Sequence, residues 1–163
     1  MIILGIDPGT TAIGCAVVEA DMPPRVLHAG LISIRSREPA ERLAELHRGM
    51  EEMIKKWRPE VASVEKLFFA ANTKTAIAVA QARGVILLTA GLHGISVVEY
   101  TPRQIKKALT GDGGADKEQV KKMVKLTIPE AADLVARDDV FDAIASALAC
   151  SFQEKLHLKR STD

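Results

Sequence analysis

The chain is poor in several features that would each point to a class of protein. It has two cysteines, Cys15 and Cys150, each inside an apolar run. Two isolated, core-type thiols fit a reducing compartment and argue against a disulfide-stapled scaffold. The four histidines, His28, His47, His93 and His157, are scattered, and no Cys/His spacing suits zinc. No apolar stretch approaches the ~18–20 residues of a membrane-crossing helix. The chain opens on Met1-Ile2-Ile3-Leu4 and then turn residues, unlike a secretory leader. A cytoplasmic protein with no membrane association is therefore expected. Net charge is almost absent, at +1, so overall charge does not announce a nucleic-acid partner. Repeats, linkers and low-complexity tracts are also missing.

What is present suits one ordinary globular unit. The 163 residues are 47% hydrophobic and 26% charged, enough for a real core. One domain is expected over residues 1–155, with residues 156–163 a polar, frayed tail. Basic charge is local. Arg103, Lys106, Lys107, Lys117, Lys121, Lys122 and Lys125 cluster in one segment, against Asp112, Asp116 and Glu118.

Apolar, β-branched runs predict strands at Ile2 to Asp7, Ile13 to Glu19, Val26 to Ile34, Val61 to Glu65 and Ile95 to Tyr100. Short links between the first three imply antiparallel neighbours. Leu43, Leu46, Met50, Met53 and Trp57 repeat at helical spacing after Pro39. Further helices are predicted over Thr73 to about Leu92, with Gly84 offering a place for close packing, and from Pro102 to about Leu109. A helix capped by Asp116 should run to about Thr127, and a last one from Asp138 or Asp139 through Phe152. Three hairpin strands followed by βαβ units predict an α/β fold, a five-stranded mixed sheet covered by helices.

Carboxylates stand where such a fold gathers ligands. Asp7 and Glu65 end the first and fourth strands, and Asp139 and Asp142 share a face at the start of the last helix. Each alone is an ordinary residue: a turn Asp before Pro8-Gly9, a solvated strand end, a helix cap. Together they would repel one another unless a hard divalent cation sits among them. Acids with no His or Cys beside them suit Mg²⁺ or Mn²⁺ rather than zinc, and a pair of such ions drives phosphoryl displacement.

Longer motifs carry a resemblance. Leu4-Gly5-Ile6-Asp7-Pro8-Gly9-Thr10, Val64-Glu65-Lys66-Leu67-Phe68-Phe69 and Gln81-Ala82-Arg83-Gly84 resemble, in order, segments of the RuvC family of Holliday-junction resolvases. So do Glu99-Tyr100-Thr101-Pro102, Ala115-Asp116-Lys117-Glu118-Gln119-Val120 and Asp139-Val140-Phe141-Asp142-Ala143-Ile144-Ala145. The resemblance covers nearly the whole chain. It implies a ribonuclease-H-like fold with helices on both faces of the sheet. It also implies a Mg²⁺-dependent homodimeric crossover junction endonuclease that cuts four-way DNA junctions by paired nicks, in recombination and repair, with two ions per site and Mn²⁺ as a substitute. RuvA and RuvB are its implied partners. Asp7, Glu65, Asp139 and Asp142 then fall on the metal-binding catalytic acids, with Asp138 an alternative to Asp139. Lys106 and Lys117 fall on basic residues near the cut strand, and Phe68 on a base-stacking aromatic, with one of Phe68 and Phe69 core.

Other readings remain. A related ribonuclease-H-like nuclease could act on RNA or another branched substrate. Gly5-Ile6-Asp7-Pro8-Gly9-Thr10-Thr11 is also similar to the first phosphate loop of the actin and sugar-kinase ATPases, but that class needs two such domains and no second loop is found. A catalytically dead binding module would have no reason to keep four repelling acids together.

Overall fold

The computed structural model describes residues 1–9, 12–66, 73–131, 134 and 136–160. Phe68 and Phe69, and with them the choice of which meets DNA, lie outside the described residues. Five strands form one mixed sheet: β1 (Ile2–Asp7), β2 (Ala12–Glu19), β3 (Arg25–Ser33), β4 (Val61–Glu65) and β5 (Ser96–Tyr100), in the order β3-β2-β1-β4-β5. β1 to β3 pair antiparallel, while β4 joins β1 and β5 joins β4 in parallel. The expected meander and mixed sheet are found, with strand ends moved by a residue or so.

Helices cover both faces. α1 (Pro39–Trp57) and α2 (Thr73–Leu92) pack on one side, where Leu4, Ile6, Ile13 and Val17 meet Leu46, Met50 and Ile86. α3 (Pro102–Thr110), α4 (Lys117–Thr127) and α5 (Asp138–Arg160) pack on the other, where Ile3, Ala16 and Val18 meet Val124, Ile144 and Leu148. The alternation of strand side chains makes this division: Ile3 and Leu4 are neighbours in sequence but serve opposite cores.

Local chemistry sets the helix ends. α1 stops at Arg58, left-handed with φ 48°, before Pro59. α3 and α4 begin in reciprocal capping boxes, Thr101 with Gln104 and Asp116 with Gln119, as the Asp116 cap led one to expect. Gly111, at φ 81°, closes α3 in a conformation that disfavours other residues. The connection from Pro129 holds a short 3₁₀ turn, Pro129–Ala131.

Two expectations need correction. α5 does not end at Phe152 but continues to Arg160. Its last residues, Glu154-Lys155-Leu156 and Leu158-Lys159-Arg160, are good helix formers with no Gly or Pro to stop them. Gly84 is not a packing contact among the described residues: α2 runs through it unbroken, and a Cβ placed there meets none of them within 4 Å. Cys15 and Cys150 are both buried and are not joined in a disulfide. Among the described residues no helix is long and apolar enough to cross a membrane.

Candidate active site

The sheet's geometry places two acids first. Strand alternation puts Ile3, Gly5 and Asp7 of β1 on the α5 face, with Val61, Ser63 and Glu65 of β4 beside them. Gly5 lies opposite Ser63 in the parallel register, so the two strands deliver Asp7 and Glu65 to the same end of the sheet.

α5 brings the other two. It lies directly on β1 and β2 because those strands offer glycine where it crosses. A Cβ at Gly5 would overlap the carbonyl of Ala143, and one at Gly14 would overlap the carbonyl of Asp139. This close approach lowers the first turn of α5 onto the end of the sheet. Asp7, Glu65, Asp139 and Asp142 then line one open cavity of about 350 Å³, together with Lys106 and Lys117. Pro102, Ile105, Val120 and Ala145 make its apolar wall. All the acids and both lysines singled out by residue pattern and resemblance, apart from the alternative Asp138, thus meet in one place.

Asp138 does not line this cavity. It is 55% exposed at its side chain and accepts a hydrogen bond from Lys121 Nζ at 3.2 Å. That bond holds its carboxyl below the usual range. Asp139, 34% exposed, faces the cavity and lies 3.2 Å from Arg137. Lys117 Nζ approaches Asp142 Oδ2 at 3.7 Å.

The electrostatics describe a surplus of negative charge. Burial, and then repulsion from Asp142 and Asp139, pushes Asp7 up to about 7. Glu65 is pushed up to about 7 by burial and by repulsion from Asp7 and Asp142. Asp142 is raised by burial, with Lys117 opposing. Lys117 pulls all three down, and Lys106 pulls down Glu65, without cancelling the rise. Among the described residues the donor set fits an oxygen-preferring divalent cation in kind: four carboxylates, with no thiol and no imidazole. Among the described residues, no three acidic, His or Cys side chains are drawn tightly enough to enclose an ion by themselves.

Residue pattern alone missed the parts that hold the acids in place. Ser63 and Ser146, both fully buried, join β4 to α5 through a 2.8 Å hydroxyl contact. A polar residue inside each buried run, Val-Ala-Ser-Val and Ala-Ser-Ala-Leu, was the available signal. Gly14 left no such trace, because its partner is 125 positions away.

Comparison with known proteins identifies the family. The family model described as Crossover junction endodeoxyribonuclease RuvC matches residues 3–150. A Crossover junction endodeoxyribonuclease RuvC from Thermomicrobium roseum is 44% identical over 154 residues, 94% of this chain and 93% of that one. The structure of Thermus thermophilus RuvC superposes with a TM-score of 0.89 at 33% identity, covering 96% of this chain and 97% of that one. The structure of T. thermophilus RuvC in complex with Holliday junction substrate gives 0.88 at 35%, covering 96% of each.

Proposed function

The chain belongs to the crossover junction endodeoxyribonuclease RuvC family, and from that premise we propose that it resolves four-way DNA junctions by hydrolysing phosphodiester bonds in paired, symmetric nicks. The observation that carries the reading is the cavity itself. Four acids from β1, β4 and α5 and two lysines converge at the carboxyl end of the sheet.

Asp7, Glu65, Asp139 and Asp142 are the residues that would hold the cofactor, which we take to be Mg²⁺, two ions per site, with Mn²⁺ able to replace it. When bound, such ions supply the positive charge that stabilises the attacking and leaving oxygens of an in-line phosphoryl displacement. The rest falls to the chain. Lys106 and Lys117, on the cavity wall, offer cationic contacts to the phosphates of the strand being cut. The apolar wall of Pro102, Ile105, Val120 and Ala145 limits the water around Asp7 and Glu65, in keeping with burial as the leading cause of their rise. Phe68 is assigned to base stacking at the crossover by resemblance.

Two symmetric cuts call for two copies of the site, and the outer face of α2 supports a homodimer. Ile77, Leu88 and Leu92 are 68%, 61% and 70% exposed. Their helical spacing puts them on one stripe with Gly84 and Gly91. RuvA and RuvB as partners, action in the cytoplasm, and a role in recombination and repair rest on family membership.

The test is a substrate panel: a labelled synthetic four-way junction, a linear duplex and an RNA–DNA hybrid, each with Mg²⁺ or with EDTA. Paired nicks in the junction alone, lost in EDTA, are expected. Cutting of the hybrid instead would move the chain's substrate to RNA.

A further inference from the structure

On the face of the sheet opposite α5, a second cavity of about 270 Å³ opens between the first turns of α1 and the body of α2. Leu43, Leu46 and Ala82 contribute to an apolar floor, and Arg37, Arg42 and Gln81 to a polar rim. Among the described residues, none that lines it is acidic. Glu38, next to Arg37, is exposed and makes no cap bond with its side chain, while two further carboxylates of α1 are engaged elsewhere. Glu45 accepts the backbone N–H groups of Arg35 and Ser36, at 2.7 and 3.1 Å, and Glu41 pairs with Arg48. The Glu45 contacts pin the connection that carries Arg37. Arg42 donates to the Ser36 carbonyl at 3.1 Å, which fixes its guanidinium along the same connection. Arg37 is exposed.

Topology places this cavity beside the cleavage site. β3 and β1 are both antiparallel to β2, so they run the same way. The connection after Ser33 therefore leaves the sheet at the end where Asp7 and Glu65 stand. The two cavities flank that end from opposite faces, one acidic and the other cationic. A polyanion seated over the end of the sheet meets both.

We propose that the Arg37–Arg42–Gln81 cavity binds the phosphodiester backbone of the junction at a point away from the cut, a second anchor that the acidic cavity does not provide. This rests on the reading of the chain as a junction nuclease. Guanidinium groups match phosphate oxygens with paired N–H donors. The Gln81 amide adds a neutral donor, and the apolar floor accommodates the sugar edge beside the phosphate.

The experiment measures equilibrium binding of a four-way junction in EDTA over a series of NaCl concentrations, for the parent, Arg37→Gln, Gln81→Ala and Lys56→Gln. A guanidinium on a phosphate releases counterions, so Arg37→Gln is expected to weaken binding severalfold. It should also flatten the slope of log affinity against log salt by about 0.9. Gln81→Ala should weaken binding with the slope kept, since a neutral donor releases no ion. Lys56→Gln, which removes an exposed cation from the last turn of the same helix, far from the cavity, should match the parent. An Arg37→Gln slope equal to the parent's, or a Lys56→Gln slope as flat as that of Arg37→Gln, overturns the site. Absence of junction binding by the parent itself would instead overturn the nuclease reading beneath it.

Discussion

The hydroxyls of Ser63 and Ser146 meet at 2.8 Å in the interior, each also within reach of the other residue's carbonyl, at 2.8 and 3.2 Å. Ser63 stands two residues before Glu65 on the same face of β4, and Ser146 stands one helical turn after Asp142 on α5. The pair therefore sets how far α5 slides along β4, and with it the spacing of two carboxylates in the acidic cavity. Ser63→Ala and Ser146→Ala should each cost about 1 kcal/mol of stability, with coupling visible in the double mutant. Each should also raise the Mg²⁺ concentration needed for half-maximal junction cleavage while junction affinity in EDTA holds. Lowered stability with an unchanged Mg²⁺ requirement would reduce the pair to a structural contact.

This pair also marks where sequence reading ends. The strands were legible because β-branched apolar runs end in turn residues, and the meeting of Asp7 with Glu65 was legible because each ends its strand. That Asp139 lines the acidic cavity and Asp138 does not was not legible, since Lys121 of a different helix captures Asp138. The depth at which α5 seats is equally non-local: it follows from glycines on β1 and β2 meeting carbonyls far along the chain. The extension of α5 to Arg160 was missed because its last turns lack the apolar periodicity that marked its first.

Gly14 tests that seating. An alanine there would strike the Asp139 carbonyl, which is backbone and cannot rotate aside. Gly14→Ala should destabilise the fold by about 1–3 kcal/mol. It should also reduce cleavage at least tenfold at temperatures where the variant is fully folded. Urea melts and single-turnover cleavage measure the two effects, and parental cleavage in the folded variant would show that α5 seats by other means.

The raised acids give stability a pH dependence whose sign follows from proton linkage. Asp7 and Glu65, at about 7 in the folded chain, hold protons that the unfolded chain releases nearer pH 4. Between these values the folded state binds more protons, so the stability of the metal-free protein falls as pH rises from about 4 to about 7. Melting temperatures in EDTA should therefore drop over this interval. Asp7→Asn, which removes one raised acid and its repulsion of Glu65, should drop less and melt no lower than the parent at pH 8. A clearly lower melting temperature for Asp7→Asn in EDTA at pH 8 would contradict the clustering of charge.

The most direct measurement sets the parent beside Asp7→Asn on a labelled four-way junction in Mg²⁺, with binding and strand cleavage followed in the same samples. The parent should bind and make two symmetric nicks; Asp7→Asn should bind with similar affinity and leave every strand intact, because a cofactor ligand is gone and no DNA contact is lost. Cleavage by Asp7→Asn at the parental rate would contradict the assignment of the acidic cavity as the catalytic centre.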